Sequence, residues 1–237
     1  MCIFNLGQIS NNINKPTNVY VDEGVSNDFA NNVFSQYETL NSVFPDGSVK
    51  NIIILDDASD INKMSNECSD ISKFLNGKGE IAFGLHTKKD DTICIVENNH
   101  IRKDEALEGD FETQGADTLT HEFGHSFDKG YSNSYTFKKA FLADLLEFEK
   151  NLLENPDEKI PGSDMTYQDA KEYFKHYLEG VNFSDGIDET DLTVRGLREN
   201  FAESFSTICD TSESEVNHIY TSLFSNSVET VENLLIA

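Results

Sequence analysis

T-L-T-H-E-F-G-H-S-F-D, residues 118–128, decides how the rest of the chain is read. On a helix, positions i and i+4 lie one above the other, so His121 and His125 can aim two imidazoles at one point in space. A hydrolytic zinc ion typically takes three protein ligands and leaves one position for water. Glu122, beside the first histidine, can accept that water's proton as it attacks a carbonyl. The residue types therefore fit peptide hydrolysis, with one Zn2+ per chain as cofactor and one ligand still to be found. Local signals agree with a helix here: Asp117 can cap its start and Gly130 can end it. Leu119, Phe123 and Phe127 form an apolar stripe at i, i+4, i+8 that is offset from the two histidines. One face can anchor in a core while the other looks into a cleft.

The chain has 237 residues, enough for one substantial domain or two small ones that need no covalent staples. Its apolar content of 38%, with 17 Phe and 8 Tyr, indicates a folded globule. A net charge of -25 argues against nucleic acid and against anionic membrane surfaces, since both need a basic patch. The acidity serves solubility, or it lines a cleft that draws in a basic polypeptide substrate. Cys2, Cys68, Cys94 and Cys209 are scattered without short spacings, so they suggest neither a zinc knuckle nor a redox pair, and thiols are the default reading. The N-terminal stretch lacks the basic start and long apolar run of a Sec-type signal peptide. No segment approaches membrane-spanning length.

Along the chain, residues 1–24 read as a tail leading into the strand-like N-V-Y-V-D. Ser26 or Asn27 can cap a helix carrying Phe29, Val33, Tyr37 and Leu40 at helical spacing. After the Pro45-Asp46-Gly47 turn, residues 51–55 are a short apolar run that fits a buried strand. A further helix is expected over 61–75, with Ile61, Met64, Cys68, Ile71 and Phe74 on one side. Two strands, 80–85 and 92–96, should form an antiparallel hairpin, and residues 98–116 a polar loop. This places a sheet edge just before the histidine helix, where an extended peptide could add a strand.

Beyond residue 130 the pattern is helical. Phe137, Phe141, Leu145, Phe148 and Leu152 mark a long helix ending before Pro156, and Ser163 or Asp164 starts another that runs to Gly180. The acidic S-D-G-I-D-E-T-D from Ser184 does not have the spacing of a calcium loop and reads as a solvated connector. Leu197, Phe201, Phe205 and Ile208 mark the next helix, and a last one is expected from about 213 to 235. The expected fold class is α+β, a single domain over 1–237. Residues 25–130 hold a small mixed sheet, its antiparallel edge hairpin beside the histidine helix, and 131–237 form a mainly helical half.

Glu199 and Glu203 lie at i and i+4 on that later helix and point away from its apolar stripe. Periodicity alone reads them as a solvated face. Chemistry offers another use: a zinc-bound Glu followed one turn later by a second carboxylate, which orients a ligating histidine through its other ring nitrogen.

H-E-F-G-H-x-x-D at 121–128 together with E-N-F-A-E-S-F at 199–205 resembles the lethal factor family of zinc metallopeptidases, within the gluzincin group. The resemblance covers two short blocks and the helical order of the C-terminal half. It implies that His121, His125 and Glu199 are the zinc ligands, Glu122 the general base, and Glu203 and Asp128 outer carboxylates. It also implies a metalloendopeptidase acting on a particular protein, a bacterial toxin or effector that is secreted or delivered into a host cell. One departure stands out: where the family carries a Tyr about seven residues before the ligand Glu, this chain has Leu192. Arg195, Tyr173 or Tyr177 are the candidates to stabilise the oxyanion instead. The departure also motivates an alternative, a catalytically weak or inactive binding module on the same fold.

Overall fold

β-Branched runs in the first half and long amphipathic helices in the second divide the chain's chemistry, and the fold follows that division. A computed structural model describes residues 2–4, 17–57, 83–89, 91–98, 114–175, 177–178, 180–181, 183, 186–209 and 214–236. Two compact units result, Met1–Phe127 and Asp128–Ala237, so the class is α+β.

In the first unit, strands β1 (Cys2–Phe4), β2 (Asn18–Val21), β3 (Asn51–Asp57), β4 (Gly84–Thr87) and β5 (Thr92–Asn98) form one mixed sheet in the order β1-β2-β3-β5-β4. β2 with β3 and β3 with β5 are parallel, while the outer pairs β1/β2 and β4/β5 are antiparallel. Every residue from Ile52 to Leu55 and from Ile93 to Val96 is buried. Successive side chains point to opposite faces, so both faces of these central strands are covered. That is why they read as unbroken apolar runs. The expected hairpin exists, with its first strand beginning four residues and ending two residues later than the apolar pattern suggested, and Asp91 enters its second strand at φ 51°. Asp tolerates this left-handed conformation better than most residues. Cys2–Phe4, inside the span read as a tail, pairs with β2. The helix expected over 61–75 lies outside the described residues, as does 99–113 of the expected loop.

Two helices of this unit pack on each other, α1 (Asn27–Val43) and α2 (Gln114–Phe127). Ser26 caps α1 by accepting from the Phe29 amide at 3.2 Å, as its sequence signature indicates. Ala30, Val33, Tyr37 and Leu40 form its buried face. The Tyr37 ring meets Phe123 edge-on at 6.1 Å, and Gln36 Nε2 donates to Thr120 Oγ1 at 2.9 Å. Gly47 abuts the Phe123 ring so closely that a Cβ there would overlap it. These contacts fix the rotation of α2 about its axis, and hence the face that bears the histidines. α2 begins at Gln114, so Asp117 sits in its first turn, favourably placed for the helix dipole, and is not the cap that was expected.

In the second unit, α3 (Tyr135–Glu154), α4 (Tyr167–Tyr173), α5 (Val194–Cys209), α6 (Glu215–Leu223) and α7 (Ser225–Leu235) surround an aromatic core of Phe137, Phe141, Phe148, Phe174, Phe201, Phe205, Tyr220 and Phe224. Ser134 caps α3 by accepting from Phe137 N, and the Phe137–Leu152 stripe is buried as the periodicity indicates. α4 starts at Thr166, later than the expected Ser163 or Asp164, because Thr166 and Asp169 form a reciprocal capping box. It stops at Tyr173, well short of Gly180.

The single terminal helix expected over 213–235 is broken at Phe224. Its backbone leaves helical values (φ -122°, ψ 38°) while its ring is fully buried against Tyr220 at 4.8 Å. What makes the break stable is Asp144, 82 residues earlier on α3. Its Oδ1 accepts from Asn226 N at 3.0 Å and Asn226 Nδ2 at 2.7 Å. Its Oδ2 accepts from Ser227 N at 2.8 Å and Ser227 Oγ at 2.6 Å. A buried carboxylate thus caps α7 from another helix. Burial pushes the Asp144 carboxyl pKa up, and the hydrogen bonds from Ser227 and Asn226 pull it back. Asp144→Ala should leave the first turn of α7 without acceptors and cost about 3 kcal/mol, roughly 10 °C in Tm by thermal denaturation. An unchanged Tm would reject the clamp.

Cys94 is buried in β5, and burial pushes the Cys209 thiol at the end of α5 up to about 12. Among the described residues no helix is long and apolar enough to cross a membrane.

Candidate metal centre

The i, i+4 spacing brings the His121 and His125 rings to a centroid separation of 4.9 Å, at 86° to each other. His125 is buried and His121 half-buried. Leu119 and Phe123, on the opposite side of α2, are fully enclosed, so the stripe that was offset from the histidines does anchor the helix. Glu122 between them is only 6% exposed, unusual for an acid and consistent with a side chain held rather than solvated. Gly84 of β4 lies against it: a Cβ built there would come within 2.7 Å of Glu122 Cγ and 2.9 Å of its Oε1.

α5 carries the acidic pair. One ligand atom from each of His121, His125 and Glu199 lies within 4.8 Å of the others, a group that could hold a metal ion. Two imidazoles and a carboxylate form a borderline donor set, suited to zinc and to other first-row divalent cations. The residues present therefore fit the cofactor expected from the sequence.

Glu203 follows one turn after Glu199 and accepts a hydrogen bond from the Tyr177 hydroxyl. Tyr177 is half-buried. Burial first, then the nearby Glu203 carboxylate, hold the Tyr177 pKa well above its ordinary value. Tyr173 is 40% exposed, and its pKa is raised by the same two causes in the same order. Arg195 is exposed in the first turn of α5, at i-4 from Glu199 and therefore on the same helix face. Leu192 closes the short 3-10 turn that precedes α5, and the connector around it is held by Asp188, which accepts from Thr190 N. On the buried side of α5, Asn200 Nδ2 donates to the Tyr220 hydroxyl at 2.7 Å. Ser204 Oγ donates to the Asn200 carbonyl at 2.8 Å. This network fixes the helix that presents Glu199.

Asp128, a candidate outer carboxylate, has a local occupation. Its Oδ1 accepts from Gly130 N and Ser132 N, both at 3.0 Å, and its Oδ2 from Ser132 Oγ at 2.5 Å. It braces the loop after the histidine helix, where Gly130 adopts φ 108°. Sequence reading missed Gly84, the Tyr177–Glu203 bond and the Asn200–Tyr220 pair. Only the first left a signal, a glycine inside an otherwise strand-like run, which often marks a close approach of another group.

Neither a protein-family model nor a curated protein matches the chain.

Proposed function

We propose that this protein is a zinc-dependent metalloendopeptidase of gluzincin type, resembling the lethal factor family. The observation that carries the reading is the convergence of His121, His125 and Glu199 within 4.8 Å, with the buried carboxylate of Glu122 between the two histidines in sequence. A zinc ion held by these three residues would supply Lewis acidity to the scissile carbonyl and to the attacking water. Glu122 takes the proton from the water and delivers it to the departing amine nitrogen, the work of a general base turned acid. Glu203 orients the donor set from one turn behind Glu199, braced by Tyr177. With the Tyr177 hydroxyl committed to Glu203, Arg195 on the Glu199 face and Tyr173 are the candidates to meet the developing oxyanion.

The substrate is a polypeptide bound extended along β4, the terminal strand in the sheet order. The net charge of -25 favours a basic sequence. The family resemblance suggests a secreted protein or one delivered into a host cell. Leu192, standing where the family has a tyrosine, favours one rival: a fold that keeps the metal and binds partners with little turnover. Digestion of a proteome-derived peptide library separates the two readings. Cleavage should be abolished by a zinc chelator and restored by added Zn2+. A protein that contains zinc yet cuts nothing would sink the peptidase and leave the binding module.

A further inference from the structure

β4 approaches α2 over a single residue without a side chain. A Cβ built on Gly84 would fall 2.5 Å from Thr118 Cγ2, 2.7 Å from Glu122 Cγ and 2.9 Å from Glu122 Oε1. Carbon atoms pack at about 3.5–4.0 Å, so a larger residue fits only if the Glu122 and Thr118 side chains are displaced or the strand moves. Thr118 and Glu122 are one turn apart on the same face of α2, and the Gly84 backbone lies across both. Thr118 is therefore one wall and the strand the other, with the Glu122 stem between them. Three consequences meet in this contact: the carboxylate loses rotational freedom, it loses most of its water, and its distance from the β4 backbone is set.

We propose that Gly84 is a positioning residue for Glu122, fixing the orientation of the base and its spacing from the strand along which a substrate peptide would lie. The inference rests on the peptidase reading for its effect on turnover, but the contact itself is independent of that reading. Glycine at this position is a requirement of geometry, since the Thr118 and Glu122 side chains occupy the space where any other residue would carry its Cβ. An added methyl pushes Glu122 away from the strand without touching His121, His125 or Glu199.

The test is Gly84→Ala in the zinc-loaded full chain. Zinc content should match wild type, KM should change less than twofold, and kcat should fall about 100-fold, the usual cost of displacing a catalytic group by about 1 Å. Gly84→Ala/Thr118→Ser removes the Thr118 methyl that the new Cβ meets, and should recover about tenfold of the loss. A kcat for Gly84→Ala within twofold of wild type overturns the proposal. So does a loss spread equally over zinc binding, KM and Tm with no recovery in the double variant, which is the signature of a merely structural glycine. If Gly84→Ala does not fold, the Gly84 amide resonance decides: it should shift on Glu122→Gln in zinc-loaded protein, and an unmoved resonance rejects the contact. A wild-type protein that cuts no peptide overturns the peptidase reading, and the amide shift then still judges whether Gly84 holds Glu122.

Discussion

Glu122→Gln is expected to bind one zinc ion per chain with wild-type affinity and to lower kcat by about 1,000-fold, within the range that general-base removal costs. The amide is nearly isosteric with the carboxylate, so it fits between Gly84 and Thr118 and leaves the histidine face of α2 intact. What it cannot do is accept a proton. Burial sharpens the contrast, because a side chain only 6% exposed leaves little room for bulk water to take over as base. Metal analysis of the purified variant beside its peptide hydrolysis rate makes the measurement. Turnover within tenfold of wild type would remove Glu122 from the mechanism, and loss of zinc would show that the substitution had disturbed the donor set.

The second large effect is on the metal itself. Glu199→Ala should weaken zinc binding well beyond the about 10–100-fold that loss of an outer group costs, since it takes away one of the three proposed protein ligands. Glu203→Ala, one turn along the same helix, should fall inside that smaller range and leave a zinc-loaded but slower protein. Competition against a chromophoric chelator distinguishes the two. Circular dichroism should show α5 intact in both, because the burial of Leu197, Phe201 and Phe205 and the Asn200–Tyr220 bond hold that helix. Zinc affinity unchanged in Glu199→Ala would dissolve the proposed site, whatever the histidines do.

The parts of this architecture that the amino-acid order reveals are those governed by local periodicity. His121 and His125 share a face because helical spacing demands it. The Phe137–Leu152 stripe is buried because it has nowhere else to go, and Ser26 caps because its hydroxyl sits three residues ahead of Phe29, the first apolar position of the repeat. Glu199 was legible only through chemistry and resemblance, since an acidic i, i+4 pair on a solvated face looks the same. The break at Phe224 leaves only a weak local signal, the low helix propensity of Ser225-Asn226-Ser227, and the acceptor that rewards a new start is Asp144, far away in sequence. Likewise Asp117 has the composition of a cap, but the helix extends one turn further back over Gly115, where Phe29 and Val33 of α1 pack closely. Tertiary contact outweighs the local signal in both cases.

Of the two thiols described, Cys94 is sealed within the sheet and Cys209 is held near a pKa of 12 by burial. Burial therefore disfavours the Cys209 thiolate, the form that reacts with oxidants and disulfides. At these two positions burial slows reaction with oxidants. A chain that passed from a reducing cytosol to an oxidising medium would carry little thiolate there to be captured.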